Sequence, residues 1–221
     1  MTAAHLSILS VNVGLPRPIA TLHGEEVLSG IVKQPVTAPD VVVRTNGIDG
    51  DAQADLEVHG GPEKAVYVYP SEHWPWWESE HQLACAPNTL GENLTLAGAD
   101  ESEVCIGDTY RWGEVLLQIC QPRSPCFKLA IHTKRPDVPQ LMILSARCGW
   151  YLRVLEEGTA PVRGASLNRL VASGGPSVRE AFVAAHHPGI TYDALRRIHE
   201  APGLSLAWQH SLTRKIAALR G

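Results

Sequence analysis

No stretch of the 221-residue chain approaches the roughly 20 consecutive apolar residues that a bilayer-spanning helix needs, so no membrane-crossing helix is expected within it. Residues 1–13 lack a basic n-region and a small-residue cleavage site, and no secretory signal is expected there. Phenylalanine and methionine are scarce at two each, whereas glycine reaches 19 and proline 16; that balance favours turns and short strands over long helices. Cysteine is sparse as well. The five residues Cys85, Cys105, Cys120, Cys126 and Cys148 form an odd set without short paired spacings, which argues against a secreted disulfide framework and for reduced thiols in the cytoplasm. With 19% charged and 44% hydrophobic residues, the composition excludes a disordered chain, collagen and a coiled coil. A dense basic stripe is also missing. The net charge of −4 divides into +3 over residues 176–221 and −7 over the rest, and a nucleic-acid partner is not favoured.

What is present reads as β-rich for three quarters of the chain. Val41-Val42-Val43 is a β-branched run stopped by the turn dipeptides Asn46-Gly47 and Asp49-Gly50. Residues 65–69 alternate Val66 and Val68 against Tyr67 and Tyr69 before Pro70. The clearest hairpin runs 109–112, then Gly113-Glu114, then 115–120; a two-residue loop opening on Gly fits a type II′ turn, whose twist matches the strands. Further strands are expected over 149–155 and 167–171. Two helices interrupt them, one capped by Ser71 and running towards His81 with Pro75 in its first turn, the other over 139–146. Ala172-Ser173-Gly174-Gly175-Pro176 has the composition of a linker. Three helices follow over 177–186, 192–200 and 204–219, separated by Pro188-Gly189 and Pro202-Gly203. In the last, Leu204, Trp208, Leu212, Ile216 and Leu219 make one apolar stripe.

The most informative motif is Gln121-Pro122-Arg123-Ser124-Pro125-Cys126-Phe127-Lys128. It leaves the end of a strand, two prolines stiffen it, and Cys126 lies between Arg123 and Lys128, which favour a thiolate. A stiff cationic loop presenting a thiolate suits a metal ligand or a nucleophile. The plainer alternative is an incidental cysteine in a turn. The other four cysteines read as structural. In Val58-His59-Gly60-Gly61-Pro62-Glu63-Lys64 two glycines let backbone N–H groups approach an anion beside His59 and Lys64, though a simple turn explains it equally well. Gly47-Ile48-Asp49-Gly50-Asp51 fails as a calcium loop, because Gln53 and Ala54 stand where a further ligand and the required Gly belong. His23-Gly24-Glu25 with Pro125-Cys126 fails as a zinc deaminase, because Leu129 replaces the second cysteine of the metal pair.

Taken in order, Ser29-Gly30-Ile31-Val32-Lys33-Gln34-Pro35-Val36, Gly47-Ile48-Asp49-Gly50-Asp51, Val58-His59-Gly60-Gly61-Pro62, Gly91-Glu92-Asn93-Leu94, Gly107-Asp108, the Gln121 to Cys126 motif and Gly149-Trp150-Tyr151 resemble the MOSC domain family. The chain looks most like the YiiM-type bacterial members, which carry three helices after that domain. The resemblance implies a mixed α/β, mainly β fold: a MOSC-type β-barrel with peripheral helices over residues 1–172, and a C-terminal three-helix domain over 176–221. It also implies the molybdenum cofactor in its molybdopterin form, with Cys126 as the thiolate ligand of the metal and as the catalytic residue. A cationic cradle of Lys33, Arg44, His59, Lys64, Arg123 and Lys128, with Asn93 as a polar contact, would hold it.

The implied activity is reduction of N-hydroxylated compounds, such as 6-hydroxylaminopurine, by oxygen-atom transfer. The implied alternative is a sulfur carrier or cofactor-handling protein with a persulfide on Cys126. No ferredoxin-type cysteine cluster is present, so a separate electron-donor protein is expected. The apolar stripe of the last helix is expected to pack on the chain's own domain or on a second subunit, as in a homodimer, which leaves the basic face of these helices to an acidic redox partner.

Overall fold

The structure, a computed structural model, describes residues 4–54 and 60–219. Seven strands close into a barrel, in the order His5–Val13, Ser166–Val171, Thr109–Trp112, Val115–Pro122, Trp150–Glu156, Val66–Pro70 and Leu94–Ala97, with the last pairing back onto the first. All neighbours are antiparallel except Val66–Pro70 and Leu94–Ala97. Two small sheets flank the barrel: the hairpin Arg17–Leu22 with Glu25–Ser29, and Gly158–Pro161 with Asp40–Arg44 and Gly47–Ile48.

The expected hairpin is present, with Trp112 opposite Val115. Gly113 has φ +59°, as the first central position of a II′ turn requires, and a Cβ there would sit 2.8 Å from the Thr159 carbonyl oxygen. Val66–Pro70 departs from the half-buried alternation read from its sequence, because all five residues are buried. One side fills the barrel, and the other is covered by α1 (Trp74–His81), whose Trp77 Nε1 donates to the Tyr69 hydroxyl at 2.6 Å.

Ser71 does not cap that helix. It opens a 3₁₀ turn, Ser71–His73, and the N-cap residue of α1 is His73, which makes no side-chain capping bond. The sequence reading also missed α2 (Phe127–Thr133), which takes in the end of the supposed loop; α3 (Val138–Ser145) follows it.

The last three helices are α4 (Val178–His186), α5 (Tyr192–His199) and α6 (Leu206–Ala218). Ser177, Thr191 and Ser205 cap them, each side chain accepting from the backbone N–H three residues on. The segment before α4 does not behave as a free linker. Buried Asp108 accepts from the Ser173 N–H at 2.8 Å and its hydroxyl at 3.0 Å, and the Ser173 hydroxyl also donates to the Ile106 carbonyl. Phe182, Leu195, Leu204, Trp208 and Leu212 join the same buried cluster as the barrel side chains. Leu219 departs from the expected stripe at 55% exposed, since the helix ends at Ala218 and the chain there has passed the packed surface. Among the described residues no helix is long and apolar enough to cross a membrane.

One shared core predicts one unfolding transition. Phe182→Ala removes a fully buried ring and should cost about 3–5 kcal/mol. In urea the tryptophan fluorescence and the helical circular dichroism should shift to the same lower midpoint. Separate midpoints would show that the helices unfold on their own.

Candidate functional site

The strand Val115–Pro122 is paired with Trp150–Glu156 to its last residue and with Thr109–Trp112 over 115–118, so the chain that leaves it starts from a fixed point. From there Pro122 and Pro125 limit its course, and Cys126 becomes the N-cap residue of α2 in extended conformation, its carbonyl accepting from the Leu129 N–H. Arg123, Cys126 and Lys128 thus come to border one cleft of about 590 Å³ at the mouth of the barrel. Lys33, Asp51, Lys64, Asn93, Tyr67 and Tyr151 border it from other segments. Gly91 lets two of these segments approach: with φ +84°, it leaves no room for a Cβ, which would meet Ile31 Cγ1 at 2.4 Å.

Arg123 is only 5% exposed. Its guanidinium lies 5.1 Å from the centre of the Tyr67 ring, and Nη1 contacts Met142 Sδ at 3.5 Å. No described ion pair involves it. Burial pushes the phenols of Tyr67 and Tyr151 up despite the nearby guanidinium, so both stay neutral at ordinary pH and leave its charge uncancelled. A buried cation without a counter-ion is costly, by several kcal/mol. The group beside it that can carry negative charge is Cys126.

At another part of the wall, buried Asp51 accepts at Oδ1 from the Gly14 N–H at 2.8 Å and from Lys33 Nζ. Its Oδ2 is buried with no hydrogen-bond partner among the described residues. Burial lowers the Lys33 ammonium, with Asp51 and Glu92 opposing that shift.

The expected site residues therefore separate. Lys33, Lys64, Asn93, Arg123, Cys126 and Lys128 line the cleft. Arg44 does not: it lies on the flanking strand Asp40–Arg44 and bonds Asp49 in an exposed pair. His59 falls outside the described residues. Asn93 lines the cleft, but its amide is committed to the barrel, accepting from the Tyr67 N–H at 3.0 Å and donating to the Asn12 carbonyl at 3.1 Å. Lys33 is present but already paired, which weakens it as a free cation. Asp51, Tyr67 and Tyr151 were not singled out individually, although Asp51 and Tyr151 stand inside quoted motifs. Among the described residues no three His, Cys, Asp or Glu side chains converge on a metal position. The donor set is one thiol among cations, with the Asp51 carboxylate at a separate part of the wall. It suits a ligand that brings its own metal ligands, negative charge and N–H donors.

Comparison with known proteins gives the family. Residues 55–174 match the family described as "MOSC domain", and residues 176–218 match "YiiM-like, 3-alpha helix domain". The chain is 40% identical over 220 residues to YflK of Bacillus subtilis (strain 168), covering 97% of this chain and 96% of that protein. It is 39% identical to "Protein YiiM" of Escherichia coli (strain K12), covering 76% of each. A protein of Gibberella moniliformis named "Reductase" is 39% identical across 61% of this chain, a stretch that makes up 24% of the fungal protein. The crystal structure of YiiM from Geobacillus stearothermophilus superposes with a TM-score of 0.80 at 33% identity, covering 96% of this chain and 99% of that one.

The thiols give the site's own test. Burial pushes Cys85 and Cys120 up to about 12 and raises Cys105 and Cys148 too, whereas Cys126 borders a cationic cleft. Iodoacetamide at pH 7.5 should label Cys126 at least tenfold faster than any other cysteine, read by peptide mass spectrometry. Comparable labelling of Cys85 would show that the cleft does not activate Cys126.

Proposed function

The chain belongs to the MOSC family and continues into a YiiM-like three-helix region, and from that premise we propose that it binds the molybdenum cofactor and reduces N-hydroxylated compounds, with Cys126 as the protein's ligand to the metal. The observation that carries this reading is the convergence on one cleft of a thiol, a buried guanidinium without a carboxylate partner, and a buried carboxylate oxygen without a donor. Molybdopterin matches each: a soft metal centre for Cys126, negative charge for Arg123, and pterin N–H groups for Asp51 Oδ2. Lys64 and Lys128 suit its phosphate. The similarity to a fungal protein named a reductase supports the direction of the chemistry.

When bound, the cofactor supplies a two-electron metal centre capable of oxygen-atom exchange. The chain's own residues bind and orient. Cys126 presents Sγ from a loop stiffened by Pro122 and Pro125. Arg123, held against Tyr67 and Met142, keeps a fixed positive charge in a site where water screens it little. Tyr67 and Tyr151 remain neutral and close off one wall. Overall the substrate's N–O bond breaks, and two electrons with two protons turn R–NH–OH into R–NH₂ and water. The electrons come from a separate donor protein, or from reduced methyl viologen in a test.

Protein made in a cofactor-producing host should carry about one molybdenum per chain by elemental analysis and reduce benzamidoxime. Cys126→Ser should lose at least a hundredfold in turnover with its circular dichroism unchanged. Arg123→Ala should retain less cofactor, since a charge-assisted bond of about 1.5–3 kcal/mol is worth roughly ten- to a hundredfold in affinity. Full turnover by cofactor-loaded Cys126→Ser would overturn the ligand assignment. A persulfide on Cys126 with no reductase activity would instead establish the sulfur-carrier alternative.

A further inference from the structure

Lys64, one of the cations bordering the cleft, ends a single 3₁₀ turn, Pro62–Lys64, which is entered through Gly60 and through Gly61 at φ +89°. So short a turn after two glycines has little stiffness of its own. Within it the Lys64 N–H donates to the Gly61 carbonyl at 2.9 Å. A second set of restraints comes through the neighbouring residue, Glu63. Its carboxylate accepts from the Leu206 N–H, at 3.0 Å to Oε2 and 3.2 Å to Oε1, and from Arg153 Nη2 at 3.0 Å. The same Nη2 donates to the Gly203 carbonyl at 3.0 Å, and the Glu63 carbonyl accepts from Cys120 Sγ at 3.1 Å. Burial keeps that thiol protonated, so it stays a donor.

Leu206 is the first residue of α6, and its N–H is one of those a helix leaves without an internal partner; the Ser205 side chain serves another, the Trp208 N–H. A carboxylate suits that place, because positive partial charge gathers at a helix N-terminus. Here the carboxylate comes from Glu63, 143 residues away in the chain, so α6 is closed by the turn that carries Lys64. The residue before it, Ser205, donates its N–H to the Cys120 carbonyl at 2.9 Å. That carbonyl belongs to the strand that leads to Cys126. Two consecutive N–H groups of one helix end therefore hold the two segments that bring the thiol and the lysine to the cleft.

We propose that the N-terminus of α6 sets the place of Lys64 in the cleft, with Glu63 and Arg153 as positioning residues that tie the Pro62–Lys64 turn to the helix. On the reading above, in which the cleft seats an anionic group, the C-terminal helices then tune affinity for that anion without touching it.

Leu206→Pro isolates the contact in the full chain. It removes the N–H at the helix position where proline is best accepted, Leu206 is exposed, and Ser205 already has the extended backbone (φ −65°, ψ 149°) of a residue before proline. The circular dichroism should be unchanged, while the Lys64 amide exchanges with deuterium about tenfold faster or more. Pyrophosphate, titrated calorimetrically, is the anion probe. Lys64→Met should weaken its binding about tenfold in the unaltered chain, but less than about threefold in the Leu206→Pro background. A helix contact with a purely structural role would leave the effect of Lys64→Met equal in both backgrounds, and that result sinks the positioning. Unchanged exchange at Lys64 in Leu206→Pro would overturn the tie between turn and helix. No pyrophosphate binding, or binding indifferent to Lys64→Met, would overturn the place assigned to Lys64. If residues 206 and 64 prove coupled while protein from a cofactor-producing host carries no molybdenum, the positioning stands and the cofactor reading falls.

Discussion

Val115–Pro122 is paired with Trp150–Glu156 to its end and with Thr109–Trp112 over 115–118, and the positions of Gln121, Arg123 and Cys126 follow from that constraint. A strand bonded on two sides cannot slide or twist without breaking two ladders. Its C-terminal end therefore delivers Gln121, Arg123 and Cys126 to fixed places, and its Cys120 carbonyl receives the first residue ahead of α6. Cys126 borders both this cleft and the space between the strand's end and helices α4 and α6.

Polar groups with incomplete partnerships mark where this molecule departs from ordinary core construction. Asp108, Glu101 and Glu92 are buried carboxylates too, but each is consumed by backbone N–H groups or neighbouring side chains. They close turns and hold segments together. Asp51 Oδ2 and Gln121 Oε1 lack such closure, and Arg123 lacks a carboxylate partner among the described ion pairs. Unmet hydrogen bonds also occur elsewhere among the described residues, at Trp74, Asn88, Trp150, Arg153 and Arg169, so it is the combination with a thiol and a buried cation that distinguishes the cleft.

Local chemistry was legible and distance was not. The 109–122 hairpin could be read because Gly113 encodes its turn, and the last three helices because Ser and Thr caps and Pro-Gly breaks bracket them. The first strand was missed because a bulge between Ile8 and Ser10 breaks its alternation and turns Leu9 outward. The short α2 hid behind two prolines. For the site, the motif 121–126 pointed to Cys126 and Arg123. Nothing local could show that Arg44 turns to Asp49 outside the cleft, or that Asn93 uses its amide to hold Tyr67 and Asn12. Asp51 was read only against a calcium loop, and its partnership with Lys33 spans a gap that sequence spacing does not reveal.

The barrel closes where His5–Val13 meets Ser166–Val171, nearly the full length of the barrel chain apart. During synthesis, the first strand can pair with Leu94–Ala97 once that segment has emerged, and its far end with Gln34–Pro35, but the part of its other edge at His5–Ser7 has no partner until residue 171 follows. At the rate at which chains are made, that interval lasts roughly 4–15 s. For that time an edge carrying Leu6 and Ile8 stands open beside a nascent sheet, the condition under which strands pair with the wrong chain. Closure also depends on contacts of high sequence separation, which form late and slowly. Yield at high expression should accordingly be limited by crowding of half-made barrels, and slower translation or lower temperature is the lever that this topology offers.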